Sequence, residues 1–293
     1  MLSLHTNNAA LSAQNSISRT QTHLSTSMTR LSTGFRINSA MDDAAGLQIA
    51  TRLKVQTSGM NVAMRNTQNS ISLMQTAEGA LDEVTSILNR MKDLATQSAD
   101  GSSTDDDRTA MQAEYDSLIS ELSNITTNTK FGGTALLTSG TGKMATTIDF
   151  QIGADGAEKL TADFTTELTA LHTDIGAAAV GYDGATGVAV AAQGTDVLTA
   201  GAANGSINKL TTAIDTVSAL RSKLGAVSNR LDHVYNNLSN ISTNTKNATG
   251  RIMDTDFASE SASMTASQML LQAGTAMLKQ SNSQSSLVLS LLQ

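Results

Sequence analysis

The sequence predicts a mainly α-helical chain. Paired N- and C-terminal regions form a long antiparallel helical bundle or coiled coil, with a small β-hairpin element and a short central variable insert. Three observations carry this. Apolar residues recur at alternating intervals of 3 and 4 over tens of residues, the spacing that lines one helix face. Proline is absent from all 293 residues, so nothing along these stretches removes a backbone donor or collides with the preceding turn. Past the middle helices the period changes to 2, and a Gly/Ala/Thr-rich stretch follows.

Taken in order, the first stripe is Ala10, Ala13, Ile17, Leu24, Met28 and Leu31. The next runs through Leu53, Met60, Met64, Thr67, Ile71, Met74, Glu78, Leu81, Val84, Leu88, Met91 and Ala95. It predicts one unbroken helix from about Asp43 to Ser98, roughly 80 Å long at 1.5 Å per residue. Gly101 is expected to end it. Thr104 or Asp105 caps the following helix, whose first turn gains from the acidic residues 105–107. That helix carries Met111, Tyr115, Leu118, Leu122, Ile125 and Thr129. After Phe131-Gly132-Gly133, alternation at Ile148, Phe150 and Ile152 and again at Leu160, Ala162 and Phe164, around Asp155-Gly156, predicts a hairpin. Leu168, Leu171 and Ile175 predict a short helix. Residues 176–205 have too few large apolar side chains to bury much area and read as an exposed loop or irregular cap, with Asn204-Gly205 as its closing turn. Helical order returns from Ile207 to Ile252, and then a seven-residue repeat places Phe257, Met264, Leu271 and Leu278 on one line.

Composition narrows the function. With no Cys, there is no disulfide framework, thiolate metal site or thiol nucleophile. A net charge of −7 argues against neutralising a nucleic-acid backbone. No apolar run approaches the ~18 residues of a membrane span. The first residues lack a basic segment followed by an apolar one, so no Sec signal peptide is expected, and work outside the cell would need another route of export. His5, His23, His172 and His233 are scattered without metal-ligand spacing, and Asp105-Asp106-Asp107 lacks the pattern of a calcium loop. No catalytic residue, cofactor or metal site is expected. A secreted hydrolase on a helical scaffold is the remote alternative. The terminal segments, rich in Ser, Thr, Gln and Asn, cannot offset an ordering cost of ~1–2 kcal/mol per residue from their thin stripes alone. They are expected to order against each other and against further copies of the chain.

Arg30–Ala50, reading RLSTGFRINSAMDDAAGLQIA, resembles the N-terminal signature of bacterial flagellins. Leu88–Ala99, Arg221–Arg230, Arg251–Ala258 and the terminal Leu287–Leu292 are similar to further motifs of that family. The resemblance covers roughly residues 1–165 and 205–293. Met41 stands where a Lys is common, and the 279–286 stretch lacks the usual Pro. The resemblance implies a subunit of the extracellular flagellar filament, exported unfolded by the flagellar type III pathway; a hook–filament junction protein is the alternative. It divides the chain into an inner core domain (1–42 and 254–293), an outer core domain (43–175 and 206–253) and the insert 176–205. The implied partners are many copies of the same chain, an export chaperone, the filament cap and junction proteins.

Arg30, Gly34, Arg36, Asp42, Asp43, Arg251, Asp254 and Asp256 are expected to form a structural joint that sets register between copies. Its charges would pair across the outgoing and returning chain, and Gly34 and Gly46 would permit backbone bends. The terminal coiled-coil stripe is assigned to Ile17, Leu24, Leu31, Phe257, Met264, Leu271 and Leu278. By resemblance, Arg90, Leu94 and Glu114 match the flagellin surface that Toll-like innate receptors recognise, with Leu94 as apolar anchor between two charges.

Overall fold

The structure, a computed structural model, describes residues 7–190 and 194–291, with side chains as far as Ser283. The contacts within it separate two units: residues 1–57 with 243–293, and residues 58–242.

In the first unit, helix α1 (Asn8–Thr33) opens on Asn7, whose side chain accepts from the Ala10 amide at 3.0 Å. It closes on Gly34, at φ +75°, whose N–H reaches Arg30 O at 2.8 Å. This left-handed cap is where the missing Cβ is used. Helix α2 (Ala44–Ala99) begins in this unit, and α5 (Ala200–Met253) ends in it. Helix α6 (Phe257–Leu291) follows and runs antiparallel to α1. The half-buried or buried positions of α1 include Ala10, Ala13, Ile17, Thr20, Leu24, Ser27 and Leu31, flanked by Thr26 and Arg30, and those of α6 include Glu260, Met264, Ser267, Leu271, Gly274 and Leu278. These two rows step by 3 and 4, the signature of a two-helix seam. Ser27 takes the place expected for Met28, which is exposed.

The second unit holds the large core. The rest of α2, helix α3 (Asp105–Asn128), helix α4 (Thr165–Ala178) and most of α5 enclose Met74, Leu81, Leu88, Met91, Tyr115, Leu122, Leu168, Leu171, Leu220 and Leu224. Thr104 and Asp107 form a reciprocal capping box at the start of α3. The expected helix 43–98 therefore appears as α2, but Gly101 does not have the left-handed φ of a glycine cap. Arg108 closes the α2 end instead, donating to Ser98 O and Asp100 O at 3.1 Å. A cation there meets the orphan carbonyls and the negative end of the helix dipole. On α3, Ile119 is buried in the position expected for Leu118, which is only half-buried.

Three two-stranded antiparallel hairpins complete the unit: β1 (Lys130–Phe131) with β2 (Thr134–Ala135), β3 (Ile148–Gln151) with β4 (Lys159–Ala162), and β5 (Tyr182–Asp183) with β6 (Val188–Ala189). In the middle one, Phe150 pairs with Leu160 and Ile148 with Ala162, and all four are buried. The alternation fixes this register, since a one-residue slip would turn them to solvent.

The central insert needs two corrections. Asn204-Gly205 is no turn: both residues lie inside α5, which starts at Ala200. Nor is 176–205 merely an exposed loop, since Ala178, Ala179, Tyr182, Val197 and Ala203 are buried in the core. Side-chain hydrogen bonds supply what few large apolar groups cannot. The Tyr115 hydroxyl donates to Ala178 O at 2.9 Å, Gln112 accepts from the Val197 amide at 2.8 Å, and Ser206 donates to Asp196 O at 3.0 Å. Ser98 also donates to Val197 O.

Candidate assembly surface

The segments that follow α1 and precede α6 meet through backbone rather than charge. After Gly34, Phe35 forms an isolated antiparallel bridge with Asp254. Arg36 N donates to Met253 O at 2.6 Å, Thr255 N to Gly34 O at 3.0 Å, and the Arg36 guanidinium to Ile252 O at 3.0 Å. The chain leaving α1 and the chain entering α6 are thus pinned side by side where both helices break.

The expected pairing of Arg30, Arg36, Asp42 and Asp43 with Asp254, Asp256 or Arg251 is corrected by this geometry. Three of the carboxylates, Asp42, Asp43 and Asp256, are occupied locally, because each lies beside backbone amides that helix breaks leave without partners. Asp42 accepts from Asn38 N at 3.0 Å and Ser39 N at 2.9 Å, and the Ser39 amide chiefly holds its carboxyl below the usual range. Asp43 accepts from Gly46 N at 2.8 Å at the start of α2. Asp256 accepts from Ser259 Oγ at 2.6 Å and Ala258 N at 3.1 Å, and its pKa is lowered, Ser259 first. Arg30 finds an acid that the sequence reading missed: its Nη1 lies 3.7 Å from Glu260 Oε2. Arg251 is exposed. Gly46 is helical rather than a bend, and a Cβ there would come within 2.8 Å of the Ile37 side chain and 2.4 Å of the Asp43 carboxylate.

Along the α1–α6 seam sit Ile17, Leu24, Leu31, Met264, Leu271 and Leu278, all half-buried. Phe257 is 56% exposed and stands off this row. The seam alternates these with Thr20, Ser27, Ser267 and Gly274, so it seals little apolar area. Outside it, Leu11 and Met28 on α1 and Met269, Leu270 and Met277 on α6 face away from the partner helix. A shallow groove on α1 passes Leu24 and Met28 between Gln21 and Thr33. Among the described residues, exposed large apolar side chains are concentrated in this unit.

In the second unit, Arg90 and Glu114 face each other from α2 and α3, both about half exposed, with Arg90 Nε and Nη2 donating to Glu114 Oε1 at 2.9 and 2.6 Å. Leu94 does not stand between them as an accessible anchor: it is 2% exposed and packed in the core. Its position is one helix turn from Arg90, but on the inward stripe with Met91 and Ala95.

Among the described residues, no three His, Asp or Glu side chains converge as a metal site, and no helix is long and apolar enough to cross a membrane. His5 and the side chains of Leu287–Leu292 lie outside the described residues. His172 is buried, its Nε2 donating to Leu137 O at 2.7 Å and its Nδ1 accepting from the Tyr182 hydroxyl at 2.6 Å. A carbonyl only accepts, which fixes that tautomer.

Comparison with known proteins agrees with this architecture. The bacterial flagellin N-terminal helical region model matches residues 4–141, and the C-terminal helical region model matches residues 207–292. The chain is 34% identical to Flagellin A of Vibrio anguillarum over an alignment of 377 positions that spans all of both chains. It is 49% identical to Polar flagellin F of Vibrio parahaemolyticus over 173 residues, 59% of this chain and 44% of that one. A putative flagellar hook-associated protein of Vibrio parahaemolyticus shares the fold at a TM-score of 0.57 and 17% identity, over 73% of this chain and 100% of that one. The chain belongs to the bacterial flagellin family, the non-enzymatic subunits of the extracellular filament that drives bacterial motility.

Proposed function

We propose that this chain joins the filament through its paired ends, and that the joint at Gly34–Arg36 and Met253–Thr255 sets the register between copies. The observation that supports this is the apolar surface of α1 and α6 left over after they pair. A seam of Ile, Leu and Met alternating with Ser, Thr and Gly holds the two helices together weakly, and neighbouring copies complete the burial. Contacts of this kind join unlike faces and do not close, so they generate an open helix rather than a ring. In this reading residues 1–42 and 254–293 act as the inner core domain, 43–175 and 206–253 as the outer one, and 176–205 as the variable insert between them. Membership of the family supports export in an unfolded state, with a chaperone, the filament cap and junction proteins as partners. Arg90 and Glu114 are the exposed groups available to an innate receptor.

Seeded polymerisation tests the assembly reading. Full-length chain should elongate filament seeds, and chain trimmed of residues 1–42 and 254–293 should not. Trimmed chain that elongates at the full-length rate refutes it. In the unassembled chain, protease should remove about forty residues from each end before it cuts α2–α5.

A further inference from the structure

The chain has 13 Met but neither Cys nor Trp, so its thioethers are the groups most open to two-electron oxidation. The fold sorts them. Met74, Met91 and Met144 are 1% exposed or less, inside the core of the second unit. Met28, Met41, Met269 and Met277 are 55, 96, 60 and 68% exposed, and all four lie in the unit formed by residues 1–57 and 243–293.

We propose that Met28, Met41, Met269 and Met277 are sites of reversible oxidation by peroxide, and that their sulfoxides block addition of the chain to a filament. This rests on the assembly reading above. The sulfur lone pair attacks a peroxide oxygen, the O–O bond breaks and an S=O bond forms. The thioether loses two electrons, and the peroxide is reduced to water. The product is a polar acceptor with no donor of its own where an apolar methyl thioether stood. Facing water in the unassembled chain, it costs nothing. Covered by a neighbouring copy without a hydrogen-bond donor, each sulfoxide slows or weakens addition by roughly tenfold. Oxidation spares the core of the second unit, where Met74, Met91 and Met144 are shielded. Peptide methionine sulfoxide reductases reverse the change.

Full-length unassembled chain treated with hydrogen peroxide, mapped by peptide mass and added to seeds, tests this. The expected result is oxygen at Met28, Met41, Met269 and Met277 before Met74, Met91 or Met144, with unchanged helical circular dichroism. Elongation should fall at least about tenfold and recover after reductase treatment. A chain carrying Met28→Leu, Met41→Leu, Met269→Leu and Met277→Leu should keep its own untreated rate after peroxide. Oxidation of the core Met first, or oxidation of the four exposed ones with elongation unchanged, overturns the proposal while the assembly reading stands. Untreated chain that never elongates overturns both.

Discussion

Ile17 of α1 lies directly over Gly274 of α6: a Cβ on residue 274 would fall 2.9 Å from Ile17 Cγ1. Real Cβ contacts are almost never so short, so the two helices approach at this distance only because residue 274 has no side chain. Gly274→Leu should force the helices apart and reduce seeded elongation at least about tenfold, and Gly274→Ala, whose Cβ alone meets Ile17, should reduce it by less. Adding Ile17→Ala to Gly274→Leu should restore part of the loss, a coupling that a double-mutant cycle measures.

Leu94 and Arg90 are close in sequence and opposite in energetics. Leu94→Ala opens a cavity in the core and should cost about 2–5 kcal/mol in urea unfolding. Arg90→Ala removes a half-exposed ion pair with Glu114 and should cost under about 1 kcal/mol. A receptor reporter assay on the unassembled Arg90→Ala chain then separates recognition from folding.

Thr104→Ala removes one half of the capping box that starts α3 and should destabilise the second unit by about 1 kcal/mol, read as a lower urea midpoint at unchanged slope. Thr104→Ser should retain most of that stability.

Burial pushes the His172 imidazole below its ordinary value near 6.5, against the raising effect of the Leu137 carbonyl. The unfolded chain therefore takes up this proton first as pH falls. The stability that His172 contributes is complete above about pH 6.5 and declines below it, by at most about 1.4 kcal/mol per pH unit. Urea midpoints at pH 7.5, 6.0 and 5.0 should show the decline, and His172→Gln should flatten it.

The long helices were legible because Leu and Met at intervals of 3 and 4, with no Pro, leave few competing structures; Leu81, Leu88, Leu220 and Leu224 are all buried as the spacing requires. The β3–β4 hairpin was legible from strict alternation. Gly132-Gly133, at φ +58° and +84°, carried a hairpin-turn signal for β1–β2 that the sequence reading passed over. The packing of 176–205 was hidden for a different reason: Tyr115, Gln112 and Ser98 hold it by hydrogen bonds to backbone, and such partners leave no periodic trace. Around the ends of α1 and α5 the sequence does not separate the roles of the charged residues. Asp42, Asp43 and Asp256 bind neighbouring amides, and sequence alone does not distinguish a capping carboxylate from one in a cross-chain ion pair.

Asn7 Nδ2 donates to Ser281 O at 3.3 Å, across 274 positions of sequence. This clasp can shut only once the chain has been made as far as Ser281. A chain that stops short of that residue leaves α1 without the contact that holds its opening turn, so the two ends are completed together or not at all.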